Sequence, residues 1–187
     1  MILYTHICHP DRMLDKQDQL WSHIGQSLTN INGILVISPF WLTKHLMFGT
    51  TQNAPIQFDF EIRNPRIKRL GYRSNRSPFL VELIRSSIDQ QLFIGQKPSR
   101  GLDHGAWVPI RMLYPSDTVS VVQLSWVSGF ESNELFIQSI RQLIQQNILI
   151  VCSGQYFHPY LTSSFLSKTG SFNYFNELDH DIDITTS

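Results

Sequence analysis

The chain has 187 residues, long enough to bury a sizeable core, and balances 15 Lys+Arg against 15 Asp+Glu. That balance gives no electrostatic reason to expect nucleic acid or an anionic membrane as a partner. The two cysteines, Cys8 and Cys152, exclude a disulfide framework and suit reduced, buried thiols in a cytoplasmic protein.

The opening MILYTHICHP carries a short apolar strand pattern over 1–5, followed by His6 and His9. It has no basic leader ahead of a long apolar run, so no signal peptide is expected. No apolar run approaches the ~20 residues of a membrane helix. Residues 15–28 place Leu20, Ile24 and Leu28 at helical spacing. GILVIS (33–38) is a buried-strand pattern, with Phe40 and Trp41 expected just beyond it.

The least regular stretch, 50–76, reads as a long loop, with Arg63, Arg66, Lys68, Arg69, Arg73 and Arg76 as a solvated basic face. Ser77-Pro78 opens a helix pattern over 77–90. The segment GLDHGAWVPIRMLYP (101–115) puts His104 in a loop ahead of the next strand, VSVVQLS (119–125). Residues 132–146 repeat apolar positions at helical spacing, with Ser132 as a candidate N-cap, and NILIVCSG (147–154) is the last strong strand pattern. The tail gathers Glu177, Asp179, Asp181 and Asp183 and is expected to fray.

Strands alternating with helices imply an α/β fold: one domain with a mainly parallel, mixed sheet and helices on both faces. Ligands of such sheets sit outside the carboxyl ends of the strands. His6 and His9 follow the first strand pattern, His158 follows the last, and His104 precedes the third. Imidazoles gathered from separate strand ends suit a mononuclear metal site or a general base. His23 and His45 read as ordinary surface residues, Trp41 and Trp107 as packing residues, and Ser38 and Ser153 as turn formers, since neither sits in a nucleophile elbow.

Several segments carry a family resemblance: GLDHGAWVPIRMLYPSDTVSVVQLS (101–125), ILIVCSGQYFHPYL (148–161), ILVISPFWLT (34–43), YTHICHPDRML (4–14) and SPFLVELI (77–84). In order along the chain, these resemble the class III extradiol ring-cleavage dioxygenases of the DOPA 4,5-dioxygenase type. The most specific match is the Gly-x-Asp-His-Gly-x-Trp pattern around His104, which in the family begins a short helix. The resemblance implies residues 1–187 form a single extradiol-dioxygenase-like domain lacking the family's C-terminal segment. It implies an iron(II) or zinc(II) cofactor, with a catechol and O₂ as substrates. His6 then matches the first metal ligand, with His9 competing for the role.

His158 matches a base or additional ligand, and His104 a pocket residue that holds substrate or oxygen. Phe40 stands where the family has its second metal histidine, and the third ligand belongs to the absent segment. Two readings stay open: an enzyme whose metal rests on His6, His9 and His158 with His104 and His158 catalytic, and a catalytically silent binding or interaction module that keeps the fold. An oligomer, or a partner chain that completes the C-terminal part, is compatible with either.

Overall fold

Uninterrupted apolar runs make the centre of the sheet. The computed structural model describes residues 1–5, 18–49, 55–62, 64–69, 72, 77–92, 94–116, 119–154 and 173–174. The strands are β1 (Ile2–Thr5), β2 (Gly33–Leu42), β3 (Leu46–Phe48), β4 (Ile94–Gln96), β5 (Val121–Trp126), β6 (Ile148–Ser153) and β7 (Asn173–Tyr174). Every residue of β5 and β6 is buried, as expected where helices cover both faces, and in β5 that includes the polar Gln123 and Ser125.

All seven strands join one sheet in the order β4-β3-β5-β2-β6-β1-β7. Pairing is parallel throughout except where β3 meets β5 antiparallel at Phe48↔Leu124. The expected mixed, mainly parallel α/β sheet is therefore the one the chain forms.

Helices α1 (Asp18–Ser27) and α3 (His104–Leu113) cover one face, and α2 (Pro78–Ser87) and α4 (Glu134–Gln145) the other. Alternation along β2 divides the core accordingly. Leu35 and Ile37 pack with Leu80, Ile84, Phe136 and Ile140 from α2 and α4. Ile34 and Val36 pack with Trp21, Trp107, Ile110 and Leu113 from α1 and α3. Gly25 lets α1 lie against α3, because a Cβ there would stand 2.0 Å from the carbonyl oxygen of Leu113.

Three expectations need correction. His104 is not in a loop but begins α3, behind Asp103, whose side chain caps the helix by accepting from the Ala106 N–H. Gly105 and Pro109 disguise the helix in sequence. So does its burial on all sides but Arg111, which leaves no polar stripe to mark a period. Phe40 and Trp41 do not follow β2 but lie within it, since the strand continues to Leu42. Pro39 has no N–H for the ladder, and the β2–β5 register shifts between Ile37 and Leu42. The N-cap of α4 is Asn133, which accepts from the Phe136 N–H, in place of Ser132.

Beyond β2 the chain crosses the carboxyl end of β5 to reach β3. The Thr43 N–H donates to the Trp126 carbonyl at 3.0 Å, and the Ser125 hydroxyl sits 2.7 Å from Thr43 Oγ1 and accepts from the Met47 N–H at 2.8 Å. No described helix is long and apolar enough to cross a membrane.

Candidate functional site

Strands β2, β6 and β1 lie side by side and end at one rim. Thr5 pairs with Ser153, and Ile37 pairs with Cys152. Ser38 and Ser153 are fully buried there. Ser38 Oγ accepts from the Phe40 N–H at 3.2 Å, while Ser153 Oγ has no hydrogen-bond partner among the described residues. The first turn of α3 is laid onto these residues. A Cβ at Gly105 would stand 2.6 Å from Ser38 Oγ, 2.9 Å from Phe40 Cδ2 and 3.0 Å from Ser153 Oγ. Only glycine permits that approach, and the approach brings the neighbouring His104 to the rim.

The His104 ring lies between two phenyl groups. Phe40 is 4.0 Å away at 39°, and Phe60 is 5.2 Å away at 63°. Phe60 belongs to an irregular strap, 55–62, that runs over the start of α3. The strap is tied down by the Trp107 indole N–H donating to the Gln57 carbonyl at 3.1 Å and by the Gln57 N–H donating to Leu102 at 2.7 Å. Phe58 adds an edge-on contact to Trp107 at 5.9 Å. Phe40 and Phe58 keep 41% and 39% of their surface exposed, so aromatic faces are available at the rim.

The strap also supplies Asp59. Its Oδ1 accepts from the His104 backbone N–H at 3.0 Å and lies 2.9 Å from His104 Nδ1. The approach of Nδ1 to that oxygen is bent off the line of a regular hydrogen bond. Burial pushes the Asp59 carboxyl up, but the side chain, backbone N–H and charge of His104 together outweigh it and hold the carboxyl below its ordinary value.

Beneath His104 lies a fully buried carboxylate, Asp103. Its Oδ2 accepts from Gln123 Nε2 at 2.5 Å and from Arg100 Nη2 at 3.1 Å, and its Oδ1 accepts from the Ala106 N–H at 3.1 Å. Gln123 Oε1 in turn accepts from the Asp103 N–H at 3.2 Å. The Arg100 guanidinium also stacks over Trp41, 4.5 Å from the ring centroid. A buried charge satisfied this fully rigidifies what it touches, and here it anchors the first turn of α3.

Of the residues singled out from sequence, His104 stands at the rim, and His6, His9 and His158 lie outside the described residues. His23 and His45 are exposed, and Trp41 and Trp107 are buried packing residues, as expected. Cys152 is a free, buried thiol whose pKa burial pushes up to about 12. Among the described residues no group of three or more His, Cys, Asp or Glu side chains could hold a metal ion. Phe40 offers no lone pair, and His104 with Asp59 makes only a pair. The described residues on their own do not fit a metal shell.

Asp59, Phe60 and Gln123 are site residues that the sequence reading missed. Gln123 left a signal, since a glutamine inside a buried strand must find a partner. Asp59 left a weaker one, a carboxylate set between two phenylalanines in a long irregular segment.

The chain belongs to the LigB family, described as the catalytic LigB subunit of aromatic ring-opening dioxygenase, with residues 14–182 matched. Among its relatives is 4,5-DOPA dioxygenase extradiol of Beta vulgaris, 32% identical over 130 residues, or 67% of this chain and 48% of the relative. The Escherichia coli K12 protein of the same name is 25% identical over 140 residues, 74% of this chain and 52% of the relative.

The crystal structure of an uncharacterized protein from Escherichia coli K12 shares the fold, with a TM-score of 0.56 at 22% identity over 73% of this chain and 52% of that one. The chain thus spans about half the length of the curated relatives it matches. Extradiol dioxygenases of this family are metal-dependent and act on aromatic substrates with O₂.

Proposed function

We propose that this chain binds a catechol at the carboxyl rim of its sheet and is an extradiol ring-opening dioxygenase homologue. In this proposal iron(II) or zinc(II) is held by His6, His9 and His158. The observation that carries the reading is the Asp59–His104 pair beside the exposed faces of Phe40 and Phe58. A planar diol needs an aromatic surface to stack on and a basic group within reach of a hydroxyl. His104 supplies the basic group, with His158 as a second base or ligand. A reducing, cytoplasmic setting fits the free buried Cys152.

The experiment is anaerobic loading of the full chain with Fe(II) or Zn(II), metal analysis, and oxygen uptake with a panel of catechols. The reading expects one ion per chain, lost in His6→Ala, and uptake above a metal-only control with at least one catechol. Absence of uptake with every catechol, from a chain that is folded and metal-loaded, ends the enzyme reading.

A second reading, a catalytically silent module that keeps the aromatic pocket, is favoured by Phe40. Its ring rests 4.0 Å from His104 at the position the family gives to a metal histidine. The silent module expects a metal-free chain that still binds a catechol and a gain of metal binding in Phe40→His.

A further inference from the structure

We infer that Asp59 is a positioning residue that decides which nitrogen of His104 carries its proton, holding the hydrogen on Nδ1 and leaving Nε2 as the acceptor. This rests on the reading of His104 as the ligand-facing base. A single carboxylate oxygen, Asp59 Oδ1, meets both the backbone N–H of His104 at 3.0 Å and the ring Nδ1 at 2.9 Å. At that separation a bare ring nitrogen would set its lone pair against the carboxylate oxygen. A proton on Nδ1 turns the repulsion into attraction, even with the N–H bent off the line between the two atoms.

The contact is held from both sides. On the strap, the Gln57 carbonyl accepts from Trp107, and Gln57 itself donates to Leu102 and Gly101. On the helix, Asp103 and Gln123 fix the first turn. The ring itself is hemmed in by Phe40 and Phe60, which oppose the flip that would exchange its two nitrogens. The Asp59 carboxyl, held below its ordinary value, is charged at neutral pH. A carboxylate that orients an imidazole by its remote nitrogen is a recurrent way to set the base for a hydroxyl.

The test uses the full, metal-free chain with Asp59→Ala and Asp59→Glu. It reads the two-bond ¹⁵N correlations of the His104 ring at neutral pH and the anaerobic affinity for 4-methylcatechol. Ala removes the oxygen that faces Nδ1, while the strap stays tied through Trp107 and Gln57. The wild type is expected to show the Nδ1–H pattern, Asp59→Ala to move it toward Nε2–H, and Asp59→Glu to restore it. The 4-methylcatechol Kd is expected to rise about tenfold in Asp59→Ala.

A wild-type ring protonated on Nε2, or an unchanged ring pattern in Asp59→Ala, overturns the inference. If 4-methylcatechol fails to bind the wild type while the ring responds as stated, the catechol reading falls and the control of His104 by Asp59 stands.

Discussion

On the face covered by α2 and α4, the buried helix hydroxyls are Ser87 and Ser139, each returning to a carbonyl one turn back in its own helix, Leu83 and Leu135. The rest of that layer is apolar packing around Phe136, Leu143, Leu80 and Ile84. On the face covered by α1 and α3, Asp103, His104 and Gln123 are buried with partners drawn from three separate parts of the chain. Both faces satisfy polar groups at long range, since the Asp89 N–H donates to Ser139 Oγ at 2.9 Å and Gln146 Nε2 donates to Ser87 Oγ at 3.0 Å, but among the described residues only the second buries a carboxylate and an imidazole. An ionisable group in the interior demands one geometry more strictly than a hydroxyl does, because leaving it unsatisfied costs more. The difference separates a supporting layer from a working one.

The largest expected effect comes from removing one aromatic core residue on each face. Trp107→Ala and Phe136→Ala should each cost about 3–5 kcal/mol in urea unfolding, since both side chains are fully buried. Only Trp107→Ala should also release the strap, because its indole N–H holds Gln57. Faster protease cleavage within 55–62 in that variant alone would show it, and equal cleavage in both variants would break the comparison.

The next effect contrasts the two helix caps. Asp103→Ala should cost about 3 kcal/mol, as a cap is lost and the partners of a buried carboxylate are orphaned. Asn133→Ala, losing a single cap bond to Phe136, should cost about 1 kcal/mol. Denaturant midpoints of the two variants check the ratio.

A smaller effect follows from pH. The Asp59 carboxyl is held below its ordinary value in the folded chain. Its stabilising contribution is therefore complete above the unfolded carboxylate range and disappears as the pH falls below about 4. In His104→Gln the opposing desolvation and the backbone N–H remain while the imidazole contacts are lost, so the carboxyl should rise. The gap in Tm between wild type and His104→Gln should then close between pH 6 and pH 3, read by scanning calorimetry across that range in steps of about one unit. A gap that widens on acidification contradicts the assignment.

The smallest effect belongs to the supporting face. Glu82→Ala removes an exposed ion pair to Arg85 at 3.6 Å and should shift stability by no more than about 0.5 kcal/mol.

The same contrast explains what could be read from sequence. Helices α2 and α4 each turn one apolar stripe inward, so their spacing announced them within a few residues of their true bounds. Helix α3 is apolar on nearly every side and contains Gly105 and Pro109, so periodicity was silent and only the family resemblance suggested a helix there. Strands β5 and β6 were legible as buried runs. The short β3 and β4 were not, because three residues carry no period.

At the site, His104 was visible as an imidazole beside a buried segment. Asp59 was not, because a contact across 45 positions between a strap and a helix leaves no local trace. The proposed ligands His6, His9 and His158 lie outside the described residues.

The passage of Thr43 across the end of β5 has a consequence for access. With its amide on Trp126 and its hydroxyl against Ser125, the backbone bars that stretch of the sheet's upper edge like a shutter. Among the described residues, the large rings left exposed at the rim are those of Phe40 and Phe58.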